Sequence, residues 1–194
     1  IVSVFCDSKN RIWIGTYIGG LCMWNPANKS FVTYKSNGKE DELSSDYVKS
    51  IAEDKRGYLW LGTNGGGLCR FDPEKKIFRN FHAGDNKGLV NDYITVIFRD
   101  SKNRLWIGTY FGLSCMDTET ESITTFKPDC GLSSQSIYSI AEDNKGTIWI
   151  GTQNGLNRFN PEKNNFTIAK PVDKQASFVI NGIVPHNEDL WLST

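Results

Sequence analysis

Histidine is scarce in this chain of 194 residues, and an excess of charge of either sign is missing altogether. The two His, His82 and His186, lie far apart in sequence. A catalytic metal needs clustered His or Cys ligands, so no metal site and no cofactor is expected. Lys and Arg number 22, as do Asp and Glu, for a formal net charge of +0. Nucleic-acid binders show a basic excess or stripe, and polybasic membrane-surface proteins do too; neither is expected here. No apolar run approaches the roughly 18 residues that a membrane helix needs. Ile1–Asn10 carry neither a signal-peptide pattern nor an initiator Met. A Gly-x-Ser-x-Gly elbow and a phosphate loop are also missing, which removes two common catalytic arrangements. Disorder is excluded by composition, with 39% apolar and 23% charged residues.

Glycine and aromatic rings are what the chain has in quantity: 18 Gly, 11 Phe, 7 Tyr and 6 Trp. Glycine marks turns and aromatics favour strands. Their order is periodic. Ile12-Trp13-Ile14-Gly15-Thr16 returns as Leu59-Trp60-Leu61-Gly62-Thr63, then as Leu105-Trp106-Ile107-Gly108-Thr109 and Ile148-Trp149-Ile150-Gly151-Thr152. A fifth copy, Leu190-Trp191-Leu192-Ser193-Thr194, ends the chain. The Trp spacings are 47, 46, 43 and 42. Around each of the first four repeated Trp lie four short apolar runs separated by turn residues such as Asp54-Lys55-Arg56-Gly57 and Asp72-Pro73. Runs of this length, rich in Ile, Val, Phe, Tyr and Trp, are strands; no 3.6-residue period is sustained. Four strands in about 40–50 residues make one blade of a β-propeller. The expected fold is therefore all-β: a partial β-propeller of four-stranded antiparallel blades, about four and a half of them. The units fall near 1–34, 47–81, 93–126 and 136–168, with a last strand pair at 178–194. The last turn is irregular, because Pro185 stands where Asp143 stands in the unit before.

The pattern is best developed from Ile51 to Pro73, where Ile51-Ala52-Glu53-Asp54 leads through Gly57 and Leu59-Trp60-Leu61-Gly62-Thr63 to Gly66-Gly67-Leu68 and Phe71-Asp72-Pro73. It resembles the two-component regulator propeller repeat, and the resemblance runs over all 194 residues. The third unit departs from it, with Met116-Asp117-Thr118 in place of Phe-Asp-Pro. The resemblance implies the periplasmic sensor region of a hybrid histidine kinase in Bacteroidetes-type gut bacteria, one that detects glycan-derived oligosaccharides and controls polysaccharide-utilisation genes. It implies a membrane-anchored parent, and a kinase activity that lies outside this chain. A propeller enzyme of lyase or sialidase type, or a protein-interaction propeller, are the alternatives.

The repeated residues are expected to be structural. A Trp at one place in every blade packs between neighbouring blades. The repeated Asp (Asp7, Asp54, Asp100, Asp143) caps its turn; a calcium loop needs several carboxylates close together. Asp143-Asn144-Lys145-Gly146-Thr147-Ile148-Trp149 is similar to the Asp-box of sialidases, which is a structural turn there as well. Cys22, Cys69 and Cys115 each fall nine residues after a Trp, as small strand residues. No disulfide framework is expected, and Cys130 is the thiol expected to be exposed.

Binding should lie where the units differ. The loops between units vary: Lys35 to Asp46, His82 to Asp92, Lys127 to Gln135 and Lys170 to Ser177. So do the turns that follow each Thr. Together they occupy one face, and varied loops on a fixed frame carry function. The candidate ligand-binding residues are Tyr17, Asn64, Tyr110, Phe111, Gln153 and Asn154. Aromatics beside amides suit a sugar, whose CH faces stack and whose hydroxyls need hydrogen bonds. An open arc of blades also leaves apolar end faces, so a homodimer or larger assembly is expected.

Overall fold

A computed structural model describes residues 1–85, 88–126, 128–169 and 179–194. Residue 127, the loop 170–177 and residue 178, all named in the sequence reading, lie outside the described residues.

Eighteen strands and no helix are found among the described residues. The first blade holds β1 (Ser3–Cys6), β2 (Ile12–Gly15), β3 (Leu21–Asn25) and β4 (Ser30–Tyr34). The second holds β5 (Val48–Glu53), β6 (Leu59–Thr63), β7 (Leu68–Asp72) and β8 (Ile77–Phe81). The third holds β9 (Ile94–Arg99), β10 (Arg104–Thr109), β11 (Gly112–Asp117) and β12 (Ile123–Thr125). The fourth holds β13 (Ile137–Glu142), β14 (Ile148–Thr152), β15 (Gly155–Asn160) and β16 (Asn165–Ala169). A final pair, β17 (Gly182–His186) and β18 (Asp189–Ser193), begins a fifth. Each blade is an antiparallel meander in chain order. The first strands of successive blades pack on one another, so they form the inner wall of the arc.

Alternation along each strand gives a blade two apolar faces. One face carries the repeated Trp; the other carries Ile, Leu and Phe. The Trp face of each of the first three blades meets the aliphatic face of the blade after it. Trp13 and Leu21 pack with Ile51, Leu61 and Phe71; Trp60 and Leu68 with Ile97, Ile107 and Met116; Trp106 and Leu113 with Ile140, Ile150 and Phe159. Trp13, Trp60 and Trp106 are fully buried. The glycine within the Trp word permits the approach. A Cβ at Gly108 would stand 2.6 Å from Cγ2 of Ile137 in the next blade, and one at Gly62 would stand 2.7 Å from Cγ2 of Ile94.

The two ends differ. Val4 is 64% exposed although its counterparts Ile51, Ile97 and Ile140 are buried. At the other end Trp191 is 67% exposed. The expectation that every repeated Trp lies between two blades therefore fails at the fifth copy, because no blade covers it in this chain.

The turn Asp does cap its turn. Oδ1 of Asp100 accepts the backbone N–H of Lys102 at 3.0 Å and of Arg104 at 2.8 Å, while Oδ2 accepts the Trp106 indole N–H at 2.9 Å. Asp7, Asp54 and Asp143 repeat the same three bonds. The carboxylate thus fixes both the turn and the ring that fills the blade interface.

Burial raises the Asp7 carboxyl, but hydrogen bonds from the Trp13 indole and from Arg11 outweigh it and hold the pKa below the ordinary Asp value. Asp143 is lowered in the same way: burial raises it, and the Trp149 indole with the Thr147 and Lys145 amides more than reverses that. A carboxyl whose folded pKa is depressed contributes stability above its unfolded pKa, near 3.9, and loses it as pH falls through the folded value. Urea midpoints are therefore expected to be flat above about pH 5 and to drop below about pH 4. A midpoint that rose on acidification would contradict this.

All five thiols are free. Cys69 is fully buried, and burial pushes its thiol up to about 12. The exposed thiol is Cys6, not Cys130. Cys130 is half-buried against the cluster containing Phe166, and its backbone carbonyl accepts the Phe166 N–H at 2.8 Å.

Candidate functional site

Among the described residues, the loops between the first four blades and the turns after each Thr lie together, joined by backbone hydrogen bonds. Asn64 N–H donates to Tyr47 O at 3.0 Å, and Gly65 N–H to Asp92 O at 3.0 Å. Gln153 N–H donates to Ser136 O at 3.0 Å. The Thr that closes each Trp word shapes its turn: Thr109 Oγ1 donates to Gly112 O at 2.9 Å and accepts the Phe111 N–H at 3.0 Å. Main-chain needs are met within the turns, so the side chains at their tips are free to vary.

The six candidate residues occupy these tips. Tyr17 is 62% exposed, with its ring edge-on to Tyr47 at 4.6 Å between centroids. Asn64 is half-buried and bridges through its backbone to Tyr93. Phe111 is 62% exposed. Gln153 and Asn154 are exposed, and Asn154 Nδ2 donates to Ser133 O at 3.4 Å. Tyr110 is half-buried and the best connected: Lys49 Nζ donates to its hydroxyl at 2.9 Å, and its ring meets Tyr138 edge-on at 6.4 Å. Tyr17 and Tyr110 thus belong to two aromatic pairs, one with Tyr47 and one with Tyr138, while the amides lie at the rim.

Four residues on this face escaped the sequence reading: Tyr47, Lys49, Tyr93 and Tyr138. Tyr47, Tyr93 and Ser136 stand just before the buried Val48, Ile94 and Ile137. Lys49, Thr95 and Tyr138 stand just after them. The signal was present, since these positions also differ among units. It was hidden because Lys49 and Tyr138 belong to strands, and Tyr47 and Tyr93 stand immediately before one.

A cavity of about 650 Å³ lies elsewhere, on the outer side of the second blade. Glu40, Asp41, Arg79, Asn80, His82 and Asp85 line it above Phe78. No group of three or more metal-ligating side chains occurs among the described residues.

Four segments, 1–17, 42–65, 88–111 and 131–154, match the family profile described as "Two component regulator propeller". Four repeats of the two-component regulator propeller family are present in the chain. Each matched segment of the propeller ends at or just beyond a Trp-x-Gly-Thr word, so the family repeat and the blade repeat coincide. Among solved structures it is similar to the extracellular domain of the hybrid two-component system BT3049 from B. thetaiotaomicron, at 26% identity and a TM-score of 0.84, covering 98% of this chain and 26% of that one. A second similar structure is the extracellular domain of the hybrid two-component system BT4673 from the same organism, at 26% identity and a TM-score of 0.82, covering 98% and 28%. The propeller therefore spans about a quarter of the length of these relatives. Virginiamycin B lyase from Staphylococcus aureus shares the fold, at 17% identity and a TM-score of 0.75, covering 98% and 61%. A search of curated proteins gave no match.

Proposed function

We propose that this propeller is part of a ligand sensor, in the periplasmic region of a membrane-anchored hybrid two-component system, and that its ligand is a glycan-derived oligosaccharide. The similarity to extracellular domains of hybrid two-component systems supports the setting. No helix among the described residues is long and apolar enough to cross a membrane, so an anchor would belong to the rest of such a protein. One observation carries the ligand reading: a constant frame of Trp, Asp and Gly holds a face whose tips are Tyr17, Asn64, Tyr110, Phe111, Gln153 and Asn154. Exposed rings beside amides match a sugar's CH faces and hydroxyls. The end faces of the arc add a second partner, another copy of the chain.

Calorimetric titration with a panel of glycan oligosaccharides tests the reading. Binding is expected, and Tyr110→Ala and Tyr17→Ala should each weaken it by about 1–2 kcal/mol, the scale of an aromatic contact. Unchanged affinity in both variants would move the site elsewhere. Glycan turnover would make the propeller an enzyme, of lyase or sialidase type. Silence across the panel would favour a protein partner.

A further inference from the structure

The inner strands share an irregularity that re-aims one residue in each of three blades. In the second blade Val48 pairs with Thr63 and Ser50 with Gly62, which leaves Lys49 outside the ladder. The third blade leaves out Thr95 and the fourth leaves out Tyr138 by the same shift. Such bulges redirect a side chain, and they recur beside binding sites. Thr95 turns inward, and its hydroxyl donates to Ile137 O at 2.5 Å. Lys49 instead reaches across to the third blade, where its ammonium lies 2.9 Å from the Tyr110 hydroxyl and 4.8 Å from the ring centroid. Tyr138 stands edge-on beyond that ring.

The ammonium has an unusual set of neighbours. Among the described residues no carboxylate forms an ion pair with it. It is half-buried, it carries three N–H donors, and the Tyr110 hydroxyl takes one. Tyrosine rings attract a cation but do not neutralise it. Elsewhere the chain pairs such cations: Arg11 and Arg104 bind the turn Asp of their own blades, and Arg70 binds Glu121 of the next. A partly desolvated cation held against the Tyr110 ring is therefore matched to a group the chain does not supply.

We propose that the ligand of this face is acidic: it offers Lys49 an oxyanion, a uronic-acid carboxylate or a sulfate ester, while a sugar ring lies against Tyr110 and Tyr138. The inference rests on the oligosaccharide reading and narrows it. Lys49 sets ligand charge, and the tyrosines set the ring.

Calorimetry on the 194-residue chain tests it with four probes: an oligogalacturonate, the same oligomer as its methyl ester, a sulfated hexosamine-uronate oligomer and a neutral gluco-oligosaccharide. At least one acidic probe should bind roughly tenfold or more tighter than the ester and the neutral oligomer, the scale of one charge-assisted hydrogen bond. Lys49→Met should remove that preference while leaving the urea midpoint close to that of the parent; Lys49→Arg should keep it. Preference for the sulfated probe alone would assign the oxyanion as sulfate, and preference for the oligogalacturonate would assign it as carboxylate. Failure of both acidic probes to bind more tightly than the ester and the neutral oligomer, or a preference that survives Lys49→Met, overturns the proposal and leaves the oligosaccharide reading standing. Silence with all four probes and across the wider glycan panel overturns both.

Discussion

Asp100→Ala is expected to destabilise the propeller by about 3–5 kcal/mol, the range for removing one partner of a buried charged pair. The carboxylate is 1% exposed. It accepts two backbone amides and the Trp106 indole, and it pairs with Arg104 at 2.7 Å. Alanine would strand all of these donors at once, and an unmade buried hydrogen bond costs about 1–3 kcal/mol. The damage would not stay in the turn. Trp106 packs edge-on to Phe159 of the fourth blade at 4.9 Å and parallel to Phe126 at 5.7 Å. Loosening the indole loosens the junction between two blades. Asp100→Asn keeps one acceptor oxygen and should lose less. Urea midpoints of the two variants check this, and an alanine variant within about 1 kcal/mol of the parent would refute the capping role.

The chain alone is expected to associate at micromolar concentration, end to end. One end offers Val4 and Phe31, 64% and 54% exposed, with Trp24 against Phe31 at 5.0 Å. At the same register in the second blade Phe71 and Phe78 stack at 4.3 Å, and Phe71 meets Trp13 of the preceding blade at 5.7 Å. The other end offers Trp191 with Val184 opposite it, the counterparts of Trp60 and Ala52. The two ends are thus the two halves of a junction that the chain already makes three times within itself. Leaving such surfaces wet is unfavourable at roughly 25 cal/mol per Å². The contact joins unlike surfaces, so it is heterologous, and mixing can reveal it. Val4→Glu with Phe31→Glu should give a monomer, and so should Trp191→Glu. Equal amounts of the two variants should restore a dimer, because one intact head then meets one intact tail. Light scattering decides the matter. A compact 21.9 kDa monomer from the parent chain would refute it, and variants that stay dimeric alone would place the contact on another surface.

The frame was legible in the sequence because it repeats. Trp60 recurs since every junction needs a large ring, Asp54 since every such ring needs an acceptor, and Gly62 since every next blade needs room. These are local demands, met by residues within one unit or its neighbour. What escaped depended on position in the arc or on register. Trp191 carries the same word as Trp60, yet only the number of blades in the chain decides that it is exposed. Lys49 looked like an ordinary strand residue, because a shift of the ladder by one residue leaves no mark in composition. Cys130 sits in a loop, but the Cys130–Phe166 backbone bond draws it inward, and no periodicity encodes that contact.

The stepwise packing of blade on blade also sets how the molecule opens. Each unit leans only on its neighbours, so stability is distributed along a line. The final pair has two strands, and in register with the other blades it has His186 where they place the Asp that holds the indole. Amide hydrogens of β17 and β18 should therefore exchange first, and those of β6 and β10 last. A ligand held between Lys49, Tyr110 and Tyr138 spans the second, third and fourth blades. Its arrival would slow exchange across that stretch and leave the last pair as labile as before, so that binding is registered as stiffening of the middle of the arc.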